Sequence, residues 1–150
     1  LLLCSIAAMA ESLPAGAASE ILAAHNQVRA RVGVRPLAWS AELAGYAQEW
    51  AERLLRRNEF RHRPEVRFGE NLFEIRGAST TGARVVREWA SEAGAYDARR
   101  NRCRGVCGHY TQIVWAATER VGCAVARRGR REVWVCNYDP PGNVAGERPF

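Results

Sequence analysis

The chain contains no lysine, so all 22 of its permanently cationic side chains are arginine. Arginine keeps its charge at physiological pH and pairs bidentately with carboxylate or phosphate, so the formal charge of +6 is fixed. Such a surplus draws a protein towards anionic surfaces, membranes included. Nucleic-acid motifs are absent, as is any stripe of interleaved basic and aromatic residues, and nucleic acid is therefore not an expected partner. The arginines are scattered, with small clusters at Arg99-Arg100, Arg127-Arg128 and Arg130-Arg131. Internal repeats and low-complexity tracts are also missing. No apolar run reaches the about 20 residues that a membrane-spanning helix needs. Histidine is scarce, with three residues at positions 25, 62 and 109.

The first residues read differently from the rest. Leu1 to Ala10 is apolar, and Ala8-Met9-Ala10 fits the small-x-small rule for signal cleavage before Glu11. A second cleavage position falls near Ala17 or Ala18. Residues 1–18 are thus expected to be a partial signal peptide and short leader, and 19–150 the folded domain. Cys4 does not suit a lipoprotein, because Leu3 is too large for the residue before a lipidated cysteine. Export, to an extracellular or periplasmic location, is the expectation.

A length of 150 residues allows one domain, with one core able to carry it. A hydrophobic content of 47% and a charged content of 25% argue against disorder. Export permits disulfides. With Cys4 set aside, Cys103, Cys107, Cys123 and Cys136 allow three pairings. Cys123 and Cys136 flank Arg127-Arg128-Gly129-Arg130-Arg131, a polar tract suited to a hairpin turn, so a bridge across the hairpin is one reading. A four-thiolate zinc site is another, although no C-x-x-C knuckle is present.

Helical spacing of Ile21, Leu22, Ala24, His25 and Val28 predicts a helix starting near Ser19 and ended by Gly33 and Pro36. Ser40 is an N-cap for a second helix through Leu43, Tyr46, Ala47, Trp50 and Leu54. Residues 56–64 read as loop, and Val66 to Ile75 as an extended segment containing Gly69. Thr80 or Thr81 caps a third helix with Val85, Val86 and Trp89. Residues 94–108 form a loop. Val121 to Ala126 and Val133 to Tyr138 are the strands of a hairpin, and the tail from Pro140 has no regular structure. The result is a mixed α and β fold with helices and antiparallel strands in layers.

Histidine is the side chain best suited to proton transfer near neutrality and to holding zinc. His62 lies eight residues before Glu70, and His109 opens an aromatic and apolar run from Tyr110 to Trp115. Spacing alone does not bring the two together.

Four motifs go further. They are His25-Asn26 with Arg29, Gly69-Glu70-Asn71-Leu72, the run from Gly108-His109-Tyr110 to Trp115 with Thr118 beyond, and Val133-Trp134-Val135-Cys136-Asn137-Tyr138-Asp139-Pro140-Pro141-Gly142-Asn143-Val144. In this order they resemble the signatures of the CAP superfamily (cysteine-rich secretory, antigen 5 and pathogenesis-related class 1 proteins), in the pattern of the plant class 1 proteins. The resemblance implies an α+β fold, an α-β-α sandwich with a central antiparallel sheet and an open cleft. It places His62, Glu70, Glu92 and His109 in that cleft and makes His25 structural. It supports the pairings Cys103–Cys107 and Cys123–Cys136. A third disulfide usual in the plant proteins would fall on Asn58 and Arg128, and its absence implies a looser loop around His62.

Two imidazoles and two carboxylates suit zinc or another divalent cation, bound exchangeably and with no obligatory cofactor, or else a polar cluster that holds helices to sheet. The family implies a secreted binding module for sterol or other lipid, with Phe68, Phe73 and Trp115 as candidates for lining a lipid groove. One alternative is a metal-dependent hydrolase in the same cleft, with Glu70 or Glu92 as base. Ser91 and Thr111 lie near the matched positions, but no motif marks a Ser-His-Asp arrangement. A second alternative is a precursor that releases a C-terminal signalling peptide, Pro140 to Phe150.

Overall fold

The computed structural model describes residues 13–150. Leu1 to Ala10, Cys4 and the cleavage position before Glu11 lie outside the described residues. Helix α1 (Ala17–Ala30) buries Ile21, Ala24, His25 and Val28 along one face, as their spacing requires. The two-residue strand β1 (Ala38–Trp39) leads into α2 (Ala41–Arg57). Ser40 caps α2, its Oγ accepting from the Leu43 N–H at 3.2 Å. Asn58 closes the helix in the left-handed region, φ 53°, a conformation that asparagine tolerates. Strand β2 (Gly69–Arg76) precedes α3 (Gly82–Ala90), where the Thr81 hydroxyl accepts from the Arg84 N–H. A 3₁₀ turn (Ser91–Ala95) runs into the small ladder of β3 (Tyr96–Asp97) and β4 (Arg102–Cys103). Helix α4 (Gly108–Ile113) and the hairpin β5 (Arg120–Arg128) and β6 (Arg131–Asp139) complete the domain.

The main sheet has the order β1-β5-β6-β2. Its three long strands are antiparallel, with Gly69 opposite Tyr138 and Cys123 opposite Cys136, while β1 adds a short parallel edge to β5. Alternation along the strands separates two cores. Val121, Cys123, Val125, Trp134, Cys136 and Tyr138 point towards α1, α3 and α4. Ala124, Ala126, Val133, Val135 and Leu72 point towards Ala47, Trp50, Ala51, Leu54 and Leu55 of α2. Helices therefore cover both faces, and the fold is an α-β-α sandwich. Small residues on the α2 side of β5 let that helix lie close. A Cβ added at Gly122 would sit 2.2 Å from the Ala44 nitrogen and 2.5 Å from the Ser40 oxygen.

The sulfurs pair as Cys103–Cys107 and Cys123–Cys136, the second directly across β5 and β6. Arg29 is fully buried and is satisfied by backbone alone. It donates to the carbonyls of Arg35, Ile113, Trp115 and Thr118 at 2.7–3.2 Å, which ties α1 to the segment between α4 and β5.

Three local expectations change, one being that residues 94–108, expected as loop, carry the end of the 3₁₀ turn and the β3–β4 ladder. The extended segment starts at Gly69 rather than Val66; residues 67–68 lie in a bend, and Val66 is 86% exposed. The run after Cys107, left without an element by its sequence, is helical from Gly108 to Ile113.

Candidate functional site

The loop between α2 and β2 carries His62. It is fastened at its start by Arg131, whose Nη1 donates to Asn58 Oδ1 at 3.2 Å and Nη2 to the Glu59 carbonyl at 2.6 Å. Asn58 stands where the resemblance would put one half of a third disulfide, so the loop is held there by a guanidinium instead. Further on, Trp50 Nε1 donates to the Arg61 carbonyl, and Arg63 Nη2 to the Tyr46 carbonyl at 2.8 Å. The Arg63 guanidinium also stacks 3.6 Å from the centre of the Tyr46 ring.

These anchors bring His62 to Glu70 on β2. His62 Nδ1 lies 2.7 Å from Glu70 Oε1, which also accepts from the Arg63 N–H. The Glu70 bond raises the His62 pKa above its ordinary 6.5 against an opposing cost of partial burial. The imidazole is 67% exposed in its side chain, whereas the Glu70 carboxylate is largely buried, and its second oxygen has no hydrogen-bond partner.

Glu92 forms the second pair. Its Oε1 meets His109 Nδ1 at 2.6 Å, and its Oε2 accepts from the backbone N–H groups of His109 and Tyr110. One carboxylate thus fixes an imidazole and caps the first turn of α4. The His109 ring lies nearly parallel to Trp89, with centroids 5.8 Å apart and planes at 14°. Both pairs hold Nδ1 on a carboxylate and leave Nε2 without a hydrogen-bond partner among the described residues, the arrangement in which an outer carboxylate orients a metal-binding histidine.

A cleft of about 270 Å³ is lined by His62, Arg63, Glu70, Gln112, Asn137 and Gly142, with Tyr46 and Phe68 at its wall. His109 and Glu92 are not among its lining residues. The pairs are linked through β2 and α4, since Asn71, next to Glu70, donates from Nδ2 to the His109 carbonyl at 3.1 Å. The tail supplies part of the wall. Gly142 N–H donates to Gln112 Oε1, and Asn143 bonds to both Thr111 and the Gly108 carbonyl. Gln112, Asn137 and the start of the tail fall inside two of the matched motifs, but their place in the cleft was not assigned from sequence.

The groove candidates do not share one surface. Phe68 stands at the cleft, edge-on to Tyr46 with ring centroids 5.1 Å apart. Phe73 packs against the core on the α1 and α3 side, and Trp115 is buried beside Gly142. Ser91 Oγ donates to the Glu88 carbonyl, and Thr111 Oγ1 to Cys107 and Asn143, so neither hydroxyl pairs with a histidine. Among the described residues, one group of three potential metal ligands has its atoms within 4.8 Å of one another: His25, Cys123 and Cys136. Both sulfurs of that group are in the disulfide and both His25 nitrogens are engaged, Nδ1 with the Ile21 carbonyl and Nε2 with the Tyr138 hydroxyl.

Residues 22–138 match the model of the cysteine-rich secretory protein family, CAP. Pathogenesis-related protein 1A of Nicotiana tabacum is 46% identical over 134 residues, covering 87% of this chain and 79% of that protein. Pathogenesis-related protein 1 of Arabidopsis thaliana is 41% identical over 128 residues, covering 85% and 78%. Among solved structures, Schistosoma mansoni venom allergen-like protein 4 aligns with a TM-score of 0.71 at 29% identity, over 91% of this chain and 95% of that one. NaASP2, crystallised with Zn2+, aligns with a TM-score of 0.76 at 23% identity, over 92% and 86%, a likeness of fold.

Proposed function

The chain belongs to the CAP, or cysteine-rich secretory protein, family, and from that premise we propose that it is an extracellular binding module whose cleft is tuned by a divalent cation. Two disulfides support the location, since such bridges persist in oxidising compartments. The observation that carries the cation is the matched pair of His–Glu contacts at 2.7 and 2.6 Å, each leaving Nε2 free. His62 and His109 would hold the ion, with Glu70 and Glu92 fixing the rings. A bound cation would add Lewis acidity and a positive charge at the cleft. Two protein ligands would leave the remaining coordination to water, so exchangeable rather than structural binding is expected.

A lipid or sterol as the cleft's organic ligand is the second reading. It is favoured by the apolar rim of Val66 and Phe68 beside Tyr46, with Val66 almost fully in solvent. Titration with a sterol and a fatty acid, followed by tryptophan fluorescence, tests it. Silence across both removes the lipid reading and leaves the cation reading intact.

The cation reading is tested by zinc calorimetry on the wild type and on His62→Ala and His109→Ala. Loss of binding in both variants is the expected result. Binding that survives either substitution would assign the two pairs to holding loop and α4 in place.

A further inference from the structure

The end of the sheet beyond α2 carries a row of like charges that the fold neutralises only in part. Register sets Arg76 opposite Arg131, and Arg131 opposite Arg128, so three arginines on adjacent strands share one face. Like charges directly across strands are destabilising. Glu74 is the carboxylate set against them, 2.7 Å from the Nε atoms of both Arg76 and Arg131. Arg131 is buried and committed to Asn58 and Glu59. Arg76 and Arg128 are exposed, and Arg128 makes no ion pair among the described residues. At the turn, Arg130 adds an exposed guanidinium resting on the Gly77 carbonyl at 2.9 Å.

These four arginines and Gly77 line an open groove of about 540 Å³ with no acidic side chain in its lining. A second hollow of about 180 Å³ shares Gly77 and Arg130 with it, adds Arg127, and continues around the hairpin turn. Five arginines against Glu74 and Glu132 leave a local surplus of three positive charges, half of the chain's +6.

We propose that this groove binds an acidic polysaccharide, a chain carrying a carboxylate or sulfate along its length. Guanidinium groups pair bidentately with such anions. Arg76 and Arg128, the exposed members of the row, stand two strand spacings apart, about 9.6 Å at the backbone, comparable to two pyranose units of an extended polyuronate. The hollow is shallow and open, and it leaves Arg76, Arg128 and Arg130 accessible together at the hairpin end. The exposed large apolar residues Phe60, Val66, Val106, Val144 and Phe150 are not in its lining, so it offers no wedge for a bilayer. Nor does it present an aromatic ring for stacking nucleic-acid bases.

The test is calorimetry of the full chain with polygalacturonate at low and at physiological salt. Arg76→Ala/Arg128→Ala should weaken binding at least tenfold, with native circular dichroism, as should Arg130→Ala more modestly. Arg99→Ala/Arg102→Ala, which removes the same charge from another loop, should change binding less than twofold. Phosphatidylserine vesicles should bind more weakly than the polysaccharide. The proposal is overturned if the wild type does not bind polygalacturonate, if both double variants lose equally, or if vesicles bind more tightly through the same arginines.

Discussion

His25 Nε2 lies 2.8 Å from the Tyr138 hydroxyl, across 113 residues of sequence and with both side chains fully buried. Burial lowers the His25 pKa from 6.5 to about 4, with the Ile21 carbonyl opposing the shift and Arg29 adding to it. The same burial pushes the Tyr138 phenol up. The folded state therefore holds a neutral imidazole, while the unfolded chain takes up a proton below about pH 6.5. Its contribution is complete above pH 6.5 and is lost as pH falls towards 4, by about 3 kcal/mol in all. Urea unfolding at pH 7.5, 5.5 and 4 should show this decline. His25→Gln should flatten it even if that variant is less stable throughout. An undiminished slope in the variant would assign the decline to other groups.

Arg29 is a buried cation whose neighbours are carbonyls, so truncating it removes a donor from four acceptors, of which the Trp115 carbonyl still accepts from the Thr118 N–H at 3.1 Å. Arg29→Met keeps much of the volume and should cost about 3–5 kcal/mol in chemical unfolding. Arg29→Lys, with three donors on a narrower head, should recover part of that loss. A loss below about 1 kcal/mol for Arg29→Met would mean that water takes over the carbonyls.

Much of the fold was legible because its signals are local. Ser40 and Thr81 are cap residues that cap, and the Arg127 to Arg131 tract turns a hairpin between strands of clear alternation. Helix α4 escaped notice because its cap is not local: Cys107 makes no side-chain cap bond, and Glu92, 17 residues upstream, accepts from the first N–H groups. Strand β1 spans two residues and exists only through its partner β5. In the site, sequence named His62, Glu70, Glu92 and His109 through resemblance. The pairing of each histidine with its own glutamate depends on how β2, α3 and α4 meet. Gln112, Asn137 and the Gly142 wall are set by packing that no spacing encodes.

Gly122 sits beneath the start of α2, where an added Cβ would meet three backbone atoms of residues 40–44 at 2.2–2.6 Å. Backbone cannot rotate aside as a side chain can, so Gly122→Ala must lift the helix from β5 and open the core around Ala47 and Leu43. The expected loss is about 3 kcal/mol or more. Gly45→Ala lies on the same helix, where nothing stands within 4 Å of the added carbon, and should be neutral or slightly stabilising. Thermal unfolding of the two variants side by side separates a steric effect from a general intolerance of change in this helix. Equal losses would remove the packing explanation.

The two disulfides close loops of different size in different surroundings. Cys103, exposed at the end of β4, bridges to the buried Cys107 at the start of α4, four residues on, whereas Cys123 and Cys136 are 13 apart and both buried in the core with Val121, Trp134 and Tyr138. Chain entropy alone gives about 2 kcal/mol for the first and about 3 kcal/mol for the second. Replacing the buried pair by alanine also leaves a small cavity, which widens the gap. Cys123→Ala/Cys136→Ala should therefore lower the urea midpoint clearly more than Cys103→Ala/Cys107→Ala. The Cys103–Cys107 bridge ends at the N-cap of α4, two residues before His109, so its removal should be felt at α4. If His109 and Glu92 depend on that bridge, zinc binding will weaken in Cys103→Ala/Cys107→Ala while global stability changes little. If the Glu92 cap suffices to hold α4, zinc binding will be unchanged.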